Sequence, residues 1–436
     1  MVSDIPFGFG SPDPEDPDQS PDTPTDPFAA MFGGAGAADL GAALQRFGQL
    51  LSTSSGPVHW QLAHDTARQV IAAEGDPSVS SVERAAVAEA VEIAEVWLDE
   101  ATTLPSAGIT VRAWSRAEWV EQTLPRWKSL VMPLAERMAQ ASAEAMPAQM
   151  PEEMRAMAAP LMGMMGQMSG VMFGGQVGQG LGALAQEVLT STDVGVPLAP
   201  SGVAALVPRN VTEFGSGLSI PEDQVRIYLA LRECAHVRLF QHAPWLASRI
   251  EAAVADYARG ISVDMAGIEQ ALGGMDPSQP PDMAELMSSG LFEPPTTADQ
   301  QAALDRLEHL LALVEGWVDD VTSDAAGARL PAASALRETM RRRRASGGPA
   351  EHTFETLVGL KLRPRRLREA SALWRATAEH RSKAERDDLW SHPDLLPDAA
   401  ALDDPTGFAT KADTSDWDIS TLADTEPPDE QAPPQE

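Results

Sequence analysis

Leu229-Ala-Leu-Arg-Glu-Cys-Ala-His236, inside the stretch Ile220 to Ile250, is the run on which the fold reading turns. Its helical character rests on two local signals. Ser219-Ile-Pro-Glu222 has the S-x-x-E spacing of a capping box, and Pro221 stands in the first turn, where a missing N–H is tolerated. Apolar residues then recur at Val225, Tyr228, Leu229, Ala235, Leu239 and Phe240, the period of a helix over 220–241. Arg232 and His236 fall on this apolar stripe and not opposite it. A guanidinium turned into a core is strongly destabilising unless a carboxylate meets it, so an acidic element is expected to pack on this helix.

The same run is one residue short of H-E-x-x-H. In that pattern two His at i and i+4 hold Zn²⁺ from one helix face, and the Glu between them activates a water. Here Glu233 and His236 are in place and Arg232 stands where the first His would be. Two readings of each residue follow. His236 is a zinc ligand, or a core His bonded to Glu233 or to a backbone group. Glu233 is a general base beside a metal-bound water, or a second acceptor for Arg232. His242, six residues after His236, is a further candidate ligand, although the proteases that use that spacing have Gly where this chain has Leu239. Cys234 lies off the site face, as a buried, inert thiol. No G-x-S-x-G nucleophile motif occurs, and the remaining His show no ligand spacing.

The 436 residues suffice for a large core, and a single Cys excludes an intramolecular disulfide framework. Together with an N-terminus lacking a basic and apolar leader, this fits a cytoplasmic protein. A net charge of -32 argues against general nucleic-acid binding. Residues 1–38, acidic and rich in Pro and Gly, read as disordered, and 393–436 reads as a solvated acidic tail. Between them, 39–392 reads as one domain, mainly α. It starts with a short helix at Leu40 to Gln49, then helices at Val58 to Glu74 and Ser81 to Ala101, then a helical region packed through Trp114, Trp119 and Trp127. Residues 156–186 carry no charge, but their Gln and Gly content speaks against a membrane span, and stable insertion is not expected. Gly166, Gly170, Gly174, Gly178 and Gly182 recur every four residues, a groove that lets another helix approach. Met162, Met164, Met165, Met168 and Met172 read as deformable core. A strand is expected at Val203 to Val207, ended by Pro208, and a Gly/Pro/Met loop at 272–296. A second helix at 298–322 carries Leu304, Leu307, Leu311 and Val318 in register with Glu315, the acid that Arg232 calls for. A guanidinium–carboxylate fork suits that pair. The basic run Arg341 to Arg344 reads as solvated, or docked on the acidic tail.

With these residues in view, the chain resembles a known family. Asp4-Ile-Pro-Phe-Gly-Phe-Gly10, Phe173-Gly-Gly-Gln-Val-Gly-Gln-Gly-Leu-Gly182, Pro208-Arg-Asn210, Leu229 to His236 with Pro244-Trp-Leu246, and Leu313-Val-Glu-Gly-Trp-Val318 carry the resemblance. It is to the mainly actinobacterial zincin-like family labelled zinc-dependent metalloprotease or hydrolase, some members of which are labelled as associated with deazaflavin-coenzyme biosynthesis. The resemblance implies a mainly helical zincin-like domain with little β-structure. It also implies two His ligands, a Glu base, and a third ligand from the Glu of the E-G-x-x motif. Carried onto this chain, His236 matches the second His, Glu233 the base and Glu315 the downstream ligand, while Arg232 departs from the pattern.

Two functions remain open at this level. One is a zinc-dependent hydrolase with Zn²⁺ on His236 and Glu315 and with Glu233 as base. The other is an inactive pseudo-metalloprotease, a binding or scaffold protein for a peptide or protein partner, in which an Arg232–Glu315 salt bridge replaces the metal. The oligomeric state is open under both.

Overall fold

Helical periodicity turns into helix nearly throughout. In the computed structural model, residues 56–106, 108–144, 152–261, 297–345 and 366–411 are described, and every structural statement below refers to these. They belong to a unit running from Ser54 to Glu436. The expected disorder at 1–38, the helix at Leu40 to Gln49 and the loop at 272–296 lie outside the described residues.

The chain order is α1 (Trp60–Ala73), α2 (Ser81–Ala101), β1 (Thr110–Ala113), α3 (Arg116–Glu144), α4 (Glu152–Glu187), β2 (Val203–Leu206) and α5 (Pro208–Gly215). There follow α6 (Glu222–His242), α7 (Pro244–Arg259), α8 (Ala298–Ala326), α9 (Ala333–Ala345), α10 (Leu367–His380) and α11 (Lys383–Asp388). A 3₁₀ turn (Pro393–Leu395) and the short helices α12 (Ala399–Asp403) and α13 (Pro405–Thr410) complete it. β1 and β2 pair in parallel, Thr110 opposite Val203 and Ala113 opposite Leu206. β1 is missing from the sequence reading because its four residues, half of them exposed, show no apolar alternation long enough to register.

α6 is the axis of the molecule. From Leu229 to Leu239 every side chain is buried, polar ones included, as expected of a helix surrounded on all sides. It packs on α2, α8 and β2, with Trp119, Trp127, Trp317 and Trp374 elsewhere in the same continuous core. The start of α6 differs from expectation. Pro221 is its N-cap with no side-chain cap bond, and Ser219 sits in the left-handed region at φ 52°. Glu222 is engaged instead by Thr212 Oγ1 at 3.1 Å and Arg226 Nη2 at 2.9 Å, so no reciprocal box forms. Boxes do form at Ser80/Glu83 and Thr297/Gln300, at the heads of α2 and α8.

The glycine stripe of α4 is used within the chain. A Cβ at Gly174 would lie 2.6 Å from the His59 carbonyl oxygen, and one at Gly178 2.5 Å from that of Ala63. Only glycine lets α1 seat this closely, the same physics that small-residue stripes serve in membranes. Gly166 meets nothing. Met168 and Met172 are 44% and 54% exposed, against the expectation of core methionines, because the buried face of α4 is the glycine face. No helix of the described residues is long and apolar enough to cross a membrane.

Residues 393–411, the start of the stretch read as a solvated acidic tail, are described and carry short helices, while 412–436 lie outside the described residues. Asp398 and Asp404 act as N-caps, accepting from Ala401 N and Gly407 N at 2.9 Å each. Arg381 then fastens α13 through the carbonyls of Phe408, Ala409 and Lys411. Acids that read as solvation are helix starts here.

Candidate functional site

Arg232, His236 and Glu315 come together where α6 crosses α8. Arg232 Nη2 donates to Glu315 Oε2 at 2.7 Å. His236 Nδ1 donates to the Arg232 carbonyl one turn back at 2.8 Å, and its Nε2 lies 3.1 Å from Glu315 Oε1. His236 thus makes the backbone bond expected under the alternative reading, to the Arg232 carbonyl, and none to Glu233. Arg232, His236 and Glu315 are 5%, 2% and 1% exposed, so the ion pair is buried. Burial alone would raise the Glu315 pKa, but Arg344, His236 and Arg232 more than reverse it and hold the carboxyl well below the usual range. Burial likewise disfavours the Arg232 cation, and Glu315 overrides this and pushes its pKa up.

A second arginine at Glu315 is absent from the sequence reading. Arg344, near the end of α9, places Nη1 2.8 Å from Glu315 Oε1. Its Nη2 donates to the Asp193 carbonyl at 3.1 Å. Around it Arg343 pairs with Asp193 at 2.9 Å, and Arg337 and Arg341 with Asp319 at 2.5 and 2.7 Å. The Arg341 to Arg344 run is thus neither solvated as a whole nor docked on a tail; only Arg342, 78% exposed on Glu338, fits that expectation. The available signal was the acid spacing: Glu315 and Asp319 are four apart on α8, one ladder of carboxylates facing one ladder of arginines.

The loop after α4 closes over this cluster. Gly195, at φ 82°, turns it so tightly that a Cβ there would lie 3.3 Å from Glu315 Oε1. Burial raises the Asp193 pKa, and Arg343 and Arg344 pull it below its ordinary value.

Glu233 does not join them. Its Oε1 accepts from Ser191 Oγ and from Ala205 N at 3.1 Å, and its Oε2 from Thr192 N at 3.2 Å and Thr192 Oγ1 at 2.5 Å. The carboxylate substitutes for a neighbouring strand along β2, fully buried and with both oxygens occupied. It is not an acceptor for Arg232, because one residue along a helix turns the side chain by about 100°. His242 is not brought in either; its Nδ1 donates to the Arg238 carbonyl at 2.8 Å. Cys234 is buried, and burial pushes its thiol well up, as expected of an inert cysteine. Arg238, invisible as a core residue in the sequence, is fully buried and bridges Glu95 and Asp99 of α2.

Comparison with known proteins bears directly on this geometry. Residues 58–409 match the zincin-like metallopeptidase family. The chain belongs to that family. A solved structure from Chloroflexus aurantiacus, described as a "putative hydrolase with a novel fold", superposes with a TM-score of 0.55 at 21% identity. The match covers 81% of this chain and 97% of that one, a likeness of fold. Among curated proteins no match is found.

The family implies zinc, and the residues present do not fit it. A catalytic zinc needs three protein ligands with free lone pairs. Arg232 offers none, His236 turns both ring nitrogens to oxygen acceptors, and Glu315 is held by two guanidinium groups. No group of three or more His, Cys, Asp or Glu suited to a metal occurs among the described residues.

Proposed function

We propose that this chain is a zincin-like metallopeptidase in fold only, a binding or scaffold protein whose metal site has become an ion-pair cluster. One observation supports this above all: the Glu315 carboxylate, which would be the third ligand, meets Arg232, Arg344 and His236 together. A cation entering there would face two fixed positive charges and would have to displace both from Glu315. Against the hydrolytic alternative, both oxygens of Glu233 accept from backbone N–H groups and hydroxyls.

The test is zinc content of the purified protein by elemental mass spectrometry, with Arg232→His and Arg232→His/Arg344→Gln beside it. The expected result is no zinc in the unmodified chain and metal gained most fully by the double variant, since the single one leaves Arg344 on Glu315. About one zinc per chain in the unmodified protein, the stoichiometry of a catalytic site, would overturn the reading.

A further inference from the structure

Among the described residues, arginines outnumber carboxylates in the cluster. Arg232, Arg337, Arg341, Arg343 and Arg344 face three carboxylates, Asp193, Glu315 and Asp319. Even with Glu233 counted, which is bonded on its far side to neutral donors, the described arginines outnumber the described carboxylates. The excess sits in a chain with net charge -32, so it is no by-product of a basic composition. A basic last turn on α9 suits that helix's C-terminal dipole. The dipole does not account for donors left without acceptors. Arg341 Nε and Arg344 Nε are buried with no hydrogen-bond partner. Tyr228, one turn before Arg232 and 1% exposed, lies in the field of Arg232, Asp319 and Arg337. Unsatisfied buried donors are costly and rare in a finished core.

Access fits a ligand as well. The side chains grade from Arg232 at 6% exposure to Arg344 at 14% and Arg341 at 22%, so the cluster is closed at its floor and reaches solvent along α9.

Building on the reading of a metal site replaced by ion pairs, we infer that this cluster is a binding site for a phosphate-type oxyanion, held by Arg341 and Arg344 at the rim above Arg232. An oxyanion of one or two charges restores neutrality, and its several acceptor lone pairs match the forked donors of arginine. Free phosphate and the phosphoryl group of a small phosphomonoester share this chemistry.

The experiment uses the full chain. Inorganic phosphate and phenyl phosphate are each titrated by calorimetry and by thermal unfolding, against sodium chloride at equal ionic strength, with and without a chelator. Saturable binding of phosphate that chloride does not reproduce is expected, unchanged by the chelator. Tighter binding of phenyl phosphate would identify an organic phosphoryl group as the source, and tighter inorganic phosphate the free ion. Arg341→Gln/Arg344→Gln should weaken binding about tenfold or more, the lower end for a hydrogen bond to a charged group, while the exposed Arg342→Gln leaves it unchanged. If the double Gln variant fails to fold, Arg341→Lys/Arg344→Lys keeps the charge, loses the forks, and should still weaken binding. Equal effects of phosphate and chloride, or equal loss in Arg342→Gln, would overturn the site. Binding that vanishes with the chelator would overturn it too, by showing a metal-held anion. Zinc in the unmodified protein without phosphate binding sinks both ideas, whereas neither zinc nor phosphate sinks only this one.

Discussion

Two buried ionic clusters meet α8 at consecutive acids, Asp319 and Asp320, and they are built on different terms. In the first, Asp320 and Asp387 face Arg386 and Arg375, two acids against two arginines. Asp387 also accepts from Thr102 Oγ1 at 2.6 Å, Thr103 N at 2.7 Å and Trp317 Nε1 at 2.9 Å. Arg386 Nη2 completes the set at the Ala101 carbonyl, 2.8 Å away. Charge is balanced, and the donors end on acceptors. This cluster ties α11 to α2 and α8 and needs nothing further. The second, around Glu315 and Asp319, has five arginines for three acids among the described residues and leaves Arg341 Nε and Arg344 Nε unmet. Buried ion pairs add little net stability over apolar packing, yet removing one partner is severe. The balanced cluster therefore behaves as a structural lock, and the unbalanced one as a site.

The sharpest way to break the comparison is to open the lock. Asp387→Ala leaves the Nε of Arg386, 1% exposed, without its acceptor, together with Thr103 N and the Trp317 indole N–H. A loss of about 3–5 kcal/mol is expected, the usual result of removing one partner from a buried pair, read as a lowered midpoint in urea. A loss below about 1 kcal/mol, the range of exposed pairs, would mean that α11 is not anchored there.

Glu233→Gln comes next and separates a clasp from a catalyst. Each carboxylate oxygen takes a backbone N–H, from Ala205 and Thr192 respectively. An amide can keep only one of those oxygens, so its NH₂ must oppose the other N–H. The expected loss is about 1–3 kcal/mol, the price of one buried unsatisfied donor. A general base changed to Gln would instead leave stability nearly intact and abolish turnover.

How much of this was legible in the sequence divides along the same line. Helix positions follow from apolar period, and the Arg232–Glu315 pairing follows from a charge standing on an apolar stripe of each helix. Those are one-dimensional signals. The direction of Glu233 was not legible, because its partners Ser191, Thr192 and Ala205 sit about 30 to 40 residues upstream, in a loop and an edge strand without periodicity. Arg344 was missed for a related reason. Four consecutive arginines read as solvated by composition, and only the placement of α9 against α8 turns three of them inward. The balanced lock was invisible altogether, since Asp387 and Thr102 are 285 residues apart.

Acid sharpens the contrast. Glu315, Asp193 and Asp319 all have lowered pKa values, so their stabilisation is present above the unfolded carboxylate value, about 4. It is lost only as pH falls through the still lower folded values. For Asp319 burial opposes this, and the Arg337 hydrogen bond and charge outweigh it. Asp320 runs the other way: burial raises its pKa despite Arg386 and Arg375, so the fold takes up that proton before the unfolded chain does. Acidification toward about pH 4 thus relieves Asp320 while the three carboxylates of the arginine-rich cluster hold their charge. Urea midpoints measured from pH 7 downward should show these carboxylates' losses only below about 4, less steeply in Glu315→Gln. The same low-pH loss in Glu315→Gln as in the parent would remove Glu315 from the account.

The smallest expected effect is the most informative about the excess charge. Arg344→Gln removes a cation that stands beside Arg232 and Arg343, and Glu315 keeps Arg232 and His236 as partners. Burial and those like charges already lower the Arg344 pKa, with Glu315 only partly opposing them. Losing the bond to Glu315 is therefore offset by relief of repulsion, and a change within about 1 kcal/mol is expected in anion-free buffer. In phosphate buffer the parent should gain stability that the variant does not, because a ligand bound only to the folded state stabilises by mass action. If Arg344→Gln instead destabilised the chain as much as Asp387→Ala, and equally in both buffers, the two clusters would be the same kind of structure. Arg344 would then be one more structural counter-ion, and the surplus charge would have no ligand to explain.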